Sequence, residues 1–205
     1  MRIGVVGHGW GRVYCKALER AGIDFWRKGR DWTPDVDGLI VATSNESHFE
    51  VARKALSLGL PVLVEKPVCL KSQDVRELIA LGGIALAGHT RLYDPAWADF
   101  KSGLSAKTAR AYAGGVTASN PDAEWNWYPH LVAMCLDAGL DPDKSRFTVT
   151  EERQPLRFIA GGREFRDTSN AIDNLVRAFI RAIERGQPDN AGLRLGLQTV
   201  EYMER

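Results

Sequence analysis

The sequence predicts an α/β protein: an N-terminal parallel sheet covered by helices, then a small α+β domain with a reduced antiparallel sheet. Three observations carry this. Short apolar runs alternate with helical patterns from Ile3 to Ala87, as in a doubly wound sheet with crossover helices. A glycine-rich turn, Gly7 to Arg12, follows the first run directly. Past Lys101 the pattern changes to weaker strands and two long amphipathic helices. The division reads as residues 1–103 and 104–205, with the C-terminal helices able to pack back on the first domain.

At 205 residues the chain is long enough to bury a real core, and 44% apolar with 26% charged residues is ordinary for a globular protein. A formal net charge of +1 gives no electrostatic reason to expect nucleic acid or an anionic membrane as partner. No charged-then-apolar leader pattern opens at Met1, and no apolar run approaches the ~20 residues of a membrane span. Cys15, Cys69 and Cys135 are odd in number, far apart and without metal-ligand spacing, so buried free thiols in a reducing cytoplasm are expected. The four histidines form no metal cluster either, and no metal site is expected.

Along the chain, Ile3–Val6 is the first strand, and Gly7-His8-Gly9-Trp10-Gly11-Arg12 leads into a helix marked by Val13, Ala17 and Leu18. Strand, glycine turn and helix in this order describe a Rossmann-type dinucleotide site. Gly7 permits the tight turn and Gly9 lets a pyrophosphate reach the backbone at the helix N-terminus. The third glycine should stand at position 12, where Arg12 is found, and Gly11 is one place early. Either the turn is one residue short, or helix and strand pack less closely.

The second strand is expected at Ile23–Trp26. An acid for the ribose 2′-hydroxyl should lie about 20 residues beyond the glycines, but Arg27, Lys28 and Arg30 stand there. Paired guanidinium donors suit a 2′-phosphate, so NADP is the expected cofactor, with NAD as the alternative. The bland alternative is a solvated basic turn. Residues 31–37 have room for a loop and no helix.

Gly38–Ala42 is a third strand, running into Thr43-Ser44-Asn45-Glu46-Ser47-His48 and a helix closed by Gly59. Val62-Leu63-Val64 is a fourth, ending abruptly in Glu65-Lys66-Pro67. Ligands of open parallel sheets bind beyond the carboxyl ends of the strands, which puts Lys66 at the mouth of a site. A surface Glu-Lys pair before a turn is the plain alternative. Ser72 is the expected N-cap of the next helix, and Ile84–Ala87 is the fifth strand.

Four segments, in content, order and spacing, resemble the Gfo/Idh/MocA oxidoreductases, the group containing glucose-fructose oxidoreductase and inositol dehydrogenase. They are the glycine turn, Ala42–His48, Val64–Pro67 and Gly88-His89-Thr90-Arg91-Leu92-Tyr93-Asp94-Pro95. The resemblance implies a Rossmann domain joined to a domain built on an antiparallel sheet. It implies that Thr43, Asn45 and His48, with Ser44 among them, line the nicotinamide and ribose side of the cofactor. Glu65 and Lys66 would reach nicotinamide and substrate, across a Lys66–Pro67 bond that is often cis in the family. Arg91 joins the implied cofactor set, as do His8, Trp10, Gly11 and Arg12 of the turn.

In the C-terminal half, Thr108–Ala113 and Arg146–Thr150 alternate as strands, and Leu156–Phe165 reads as a hairpin about Gly161-Gly162. Ile172 to Ile183 and Leu193 to Val200 are helical core stripes. Between them, Glu124-Trp125-Asn126-Trp127-Tyr128-Pro129-His130 opens a helix. The family carries D-x-G-x-H-x-x-D here, its histidine facing substrate. His130 matches that histidine, while Asn126, Tyr128 and Ala133 replace the first acid, the glycine and the second acid.

The activity implied is hydride transfer between NAD(P) and a hydroxyl or carbonyl carbon of a sugar-like small molecule. Lys66 and His130 would handle the hydroxyl proton, with Tyr128 and Tyr93 in reserve. The missing acids, Arg12 and the reduced sheet favour a second reading, a non-catalytic NAD(P)-binding sensor or scaffold. A third is a reductase of an imine or of a larger carrier-bound substrate, with Trp125, Trp127 and Tyr128 as a stacking platform. A homodimer is expected, pairing the open faces of two small sheets whose apolar surface needs cover.

Overall fold

The computed structural model describes residues 1–29, 32–116, 122–168 and 171–205. They form two compact units, Met1–Gly88 with Ile172–Arg205, and His89–Ala171. The first unit thus ends at Gly88, ahead of the 103/104 division drawn from the sequence, and takes residues 172–205 into itself.

In the first unit, β1 (Arg2–Val6), β2 (Asp24–Lys28), β3 (Gly38–Val41), β4 (Val62–Glu65) and β5 (Ala85–Gly88) form one all-parallel sheet in the order β2-β1-β3-β4-β5. Helices α1 (Gly9–Ala21), α2 (His48–Ser57) and α3 (Ser72–Leu81) connect them. Val5, Val6, Leu39, Ile40, Val62 and Leu63 are all fully buried. Both faces are covered over β1, β3, β4 and β5, which therefore read as continuous apolar runs without alternation, while the edge strand β2 is exposed or half-buried throughout.

Two boundaries differ from expectation. Arg27 and Lys28 lie inside β2, in register with Val5 and Val6, because the parallel ladder continues to the end of β1. Ser72 is the first helical residue of α3 and not its cap; its amide N–H donates to the Glu204 carboxylate at 2.8 Å. Hydrogen bonding by the Ser72 side chain, then by its amide, ahead of the charge of Arg76, holds the Glu204 carboxyl below its ordinary range. Residues 32–37 contain no helix, with Trp32 buried as a single anchor. Arg30 and Asp31 lie outside the described residues.

The second unit begins with a short turn of helix at Thr90–Tyr93 and α4 (Pro95–Lys101). Asp94 caps α4 through the Ala96 amide and also accepts from the Thr168 amide and hydroxyl at 2.6 and 2.9 Å. Next come β6 (Arg110–Gly114), α5 (Ala123–Asp137), β7 (Arg146–Thr150), β8 (Gln154–Ala160) and β9 (Arg163–Arg166). The sheet has the expected four strands, in the order β7-β6-β8-β9, but it is mixed. β7 runs parallel to β6 because α5 returns the chain to the end where β6 began, as a crossover helix does.

One face of this sheet holds the core. Trp97 stacks on Phe100 at 5.2 Å and meets Phe158 and Phe165 edge-on at 5.3 Å each; such pairs contribute about 0.5–1.5 kcal/mol beyond burial. Alternation places Arg110, Tyr112, Arg146, Thr148, Arg157 and Glu164 on the opposite face. Ile159, in register with Arg110 and Glu164, shares that mainly polar face.

Helices α6 (Ala171–Arg185) and α7 (Ala191–Met203) complete the first unit apart from Ala171. α6 is pinned to α1 by Arg20 and Asp173, and α7 to α3 by Arg76 and Glu201. Leu193 and Val200 extend the core over β4 and β5.

Candidate active site

The strand order reverses between β1 and β3, so the ligand crevice of this sheet lies beyond Val6 and Val41. The backbone there tolerates only glycine. Gly7 has φ +137°, and a Cβ on it would lie 1.9 Å from the Ala42 carbonyl oxygen. α1 starts two residues later; His8 gives it no side-chain cap and its first turn holds no acid. Its leading amide groups therefore keep their capacity for an anion. Gly11 is buried, its Cβ position 3.5 Å from Val5 Cγ1, while Arg12 is exposed. Gly11 therefore faces β1, and Arg12 faces outward. A glycine-only cradle and an uncapped helix start fit a dinucleotide pyrophosphate.

Arg27 points along α1, its Cδ 3.9 Å from the Cβ position of Gly11. Its charge also reaches Cys15, where it opposes the larger effect of burial in pushing that thiol up. Lys28 lies over the Trp26 ring at 5.3 Å. The end of β2 therefore presents positive charge beside the glycine turn.

At the end of β3, Thr43, Ser44 and Asn45 are half-buried and lead into α2. His48 is buried; its Nδ1–H donates to the Pro67 carbonyl at 2.7 Å, and Nε2 lies 3.3 Å from the Thr43 carbonyl. Burial pushes this imidazole below its ordinary value despite both carbonyls, so the ring is neutral near pH 7. His48 ties the ends of β3 and β4 together through the backbone.

Glu65 and Lys66 are both buried, and the Lys66–Pro67 bond is cis. The Glu65 carboxylate accepts from the Tyr14 hydroxyl at 2.5 Å and from the Lys66 amide at 3.0 Å. Gly88, ending β5, makes room for this group: a Cβ there would lie 2.9 Å from Glu65 Cα. Tyr14 and Gly88 were not singled out in the sequence. The available signal was a tyrosine on the buried stripe of α1, whose hydroxyl needs a partner.

In the second unit, α5 is capped by Asp122, which accepts from the Glu124 and Trp125 amides, so His130 sits in mid-helix and not at its opening. Asn126 and Trp127 both donate to the Gly115 carbonyl, at 2.9 and 3.1 Å. His130 is buried with its ring 5.9 Å from that of Trp127. Tyr128 packs edge-on against Phe147, and burial, then Glu124, pushes its hydroxyl up, so it holds its proton more firmly. Ala133 is fully buried, where a carboxylate would need a buried partner. Arg91 pairs with Asp167 at 2.8 Å and lies over Trp127.

Cys15, Cys69 and Cys135 are buried and free, and burial pushes the Cys69 thiol up to about 12 and the Cys135 thiol to about 11. Among the described residues no three His, Cys, Asp or Glu side chains gather as a metal site, and no helix is long and apolar enough to cross a membrane.

An all-parallel sheet with a glycine turn at its switch point makes the first unit a Rossmann-type dinucleotide-binding fold. Residues 15–82 match the model described as oxidoreductase family, NAD-binding Rossmann fold. Over that stretch the chain is similar to the Gfo/Idh/MocA oxidoreductases. It is 31% identical over 126 residues to the scyllo-inositol 2-dehydrogenase (NAD(+)) of Bacillus subtilis, covering 58% of this chain and 37% of that protein. It is 44% identical over 46 residues to the 1,5-anhydro-D-fructose reductase of Ensifer adhaerens, covering 22% of this chain and 14% of that protein. The matches thus span well under half of either relative. The solved UDP-N-acetylglucosamine 3-dehydrogenase of Acidithiobacillus ferrooxidans has the same fold, with a TM-score of 0.80 at 15% identity over 98% of this chain and 95% of that one.

Proposed function

We propose that this chain is an NAD(P)-dependent oxidoreductase that transfers a hydride to or from a hydroxyl- or carbonyl-bearing carbon of a sugar or sugar-like molecule. The observation that carries the reading is Lys66, buried at the end of β4 in the same parallel sheet whose β1 ends in the Gly7 turn and whose β2 ends in Arg27 and Lys28. The relatives named above are dehydrogenases or reductases of an inositol, an anhydro sugar and a nucleotide sugar, and that is the substrate class proposed here.

A bound nicotinamide supplies the hydride chemistry. Gly7, Gly9 and the first turn of α1 receive the pyrophosphate. Arg27, with Lys28 beside it, takes a 2′-phosphate, which makes NADP the preferred cofactor. Thr43, Ser44 and Asn45 line the ribose and nicotinamide side, and His48 fixes their backbone. Lys66 Nζ holds or moves the proton of the reacting hydroxyl. His130, and Arg91 on the cofactor side, enter through the family resemblance, with Tyr128 as a reserve proton donor; a homodimer through the open sheet face and a cytoplasmic location suited to three free cysteines complete the reading. The second reading, a non-catalytic NAD(P)-binding sensor, is favoured by one observation: Asn126 is bonded to Gly115 and Ala133 is sealed in the core, where the family has acids.

Lys66→Met decides between them. With NADP⁺ or NADPH and a panel of inositols, anhydro sugars and nucleotide sugars, the variant should lose at least about 10²-fold in turnover, the scale of a lost acid–base group. Its dinucleotide affinity should stay close to that of the parent protein. Equal turnover by the variant would remove Lys66 from the chemistry.

A further inference from the structure

We propose that Tyr14 is a positioning residue for Lys66, joining the helix that starts at the glycine turn to the end of β4. The proposal concerns how the oxidoreductase site is held, and in that sense it rests on the functional reading above. Tyr14 is fully buried in the second turn of α1, one turn beyond the residues assigned to the pyrophosphate. Its hydroxyl does not face solvent or the apolar core. It donates at 2.5 Å to Glu65 Oε1, across 51 positions of sequence.

The second carboxylate oxygen, Glu65 Oε2, accepts the Lys66 amide at 3.0 Å. Phenol, carboxylate and amide thus form one chain from α1 to the backbone that aims Lys66. Gly88 leaves on the β5 side the room that this carboxyl occupies, since a Cβ there would lie 3.2 Å from Glu65 Cδ. His48 holds the Pro67 carbonyl at 2.7 Å on the other side of Lys66. A carboxylate buried this deeply needs donors on its oxygens; the Lys66 amide is set by the local backbone, whereas Tyr14 is a choice of side chain.

Filling the core is the plain alternative for a buried tyrosine, and phenylalanine would serve it equally. The hydroxyl is the distinguishing atom. Tyr14→Phe removes it at nearly constant volume. Glu65→Gln keeps an oxygen for the phenol and sets an amide nitrogen toward the Lys66 N–H, so it breaks the second link while sparing the first.

The test is amide hydrogen exchange by NMR on the whole chain, with thermal melts as a check on folding. Without the phenol to hold it, the Glu65 carboxylate can turn off the Lys66 amide, which should exchange about tenfold faster in Tyr14→Phe, while the Val62–Val64 amides of the β4 ladder stay unchanged. Glu65→Gln should do the same, and the double variant should add little to Glu65→Gln alone, as for members of one network. In turnover, Tyr14→Phe should lower kcat about tenfold with the KM for dinucleotide within twofold, the split expected when only the transition-state geometry is loosened. Unchanged Lys66 exchange, or exchange raised equally along β4, overturns the proposal. Absence of turnover in the parent protein on every substrate would instead sink the oxidoreductase reading, and the exchange result would still decide the link.

Discussion

The end of β4 and the first two turns of α5 are the two places where the family resemblance puts chemistry, and they are built differently. Around Glu65–Pro67, side chains from α1 and α2 and the backbone of β5 converge, and the polar groups meet at 2.5 to 3.0 Å. Around His130, the polar contacts are spent on holding the Gly115 loop and pairing Arg91 with Asp167. The positions of the two family acids hold Asn126 and Ala133. The first region keeps both its motif and the means of aiming it. The second keeps the histidine and has turned its surroundings to structure. Position at β4 is fixed by several elements at once, whereas at α5 the His130 ring lies beside the Trp127 indole.

The largest effect should come from the cradle that serves the first region. Gly7→Val forces a side chain onto the Ala42 carbonyl at positive φ. It should cost about 3 kcal/mol or more, read as a fall in the urea midpoint, and abolish dinucleotide binding. A Gly7→Val protein that melts and binds like its parent would break the account of the switch point.

Next in size is the contrast between the two candidate proton carriers. His130→Ala should lower turnover about tenfold, below the 10²-fold floor set for Lys66→Met, because the acids that served the family histidine are gone. Equal losses would show that the α5 region retains full chemistry and would erase the contrast.

The smallest effect is the pH dependence of the first region. Burial holds His48 below its ordinary value of 6.5, so the unfolded chain takes up the proton first as pH falls. Stability from the neutral ring is therefore complete above pH 6.5 and is lost below it, by at most about 1.4 kcal/mol per pH unit for one proton. Melts at about pH 7.5 and 5.5 should show that slope in the parent and a flatter one in His48→Gln. A slope unchanged by the substitution would mean that other groups set it.

Much of this was legible before any coordinates. Apolar runs gave four of the parallel strands, β1, β3, β4 and β5, since strands buried on both faces have no other composition open to them. The Gly161-Gly162 hairpin followed from turn chemistry, and the two residues do take φ of +54° and +74°. What escaped was set at a distance. The end of β2 depends on how far β1 runs beside it, and the direction of β7 depends on the length of α5; neither is written in the strand itself. His48 reads as a polar residue after a strand, and only the fold shows both its nitrogens turned to backbone carbonyls. Tyr14 looks like core until the chain returns, 51 positions later, with a carboxylate.

The central claim is that the first unit binds a dinucleotide at the β1–β3 switch point and reads its 2′-phosphate with Arg27. Calorimetric titration with NADPH and NADH, on the parent protein and Arg27→Ala, tests it most directly. NADPH should bind at least about tenfold more tightly than NADH, and Arg27→Ala should remove that preference with little change for NADH, as expected when one charge-assisted contact is lost. Binding of neither dinucleotide, or a preference that survives Arg27→Ala, would contradict the account.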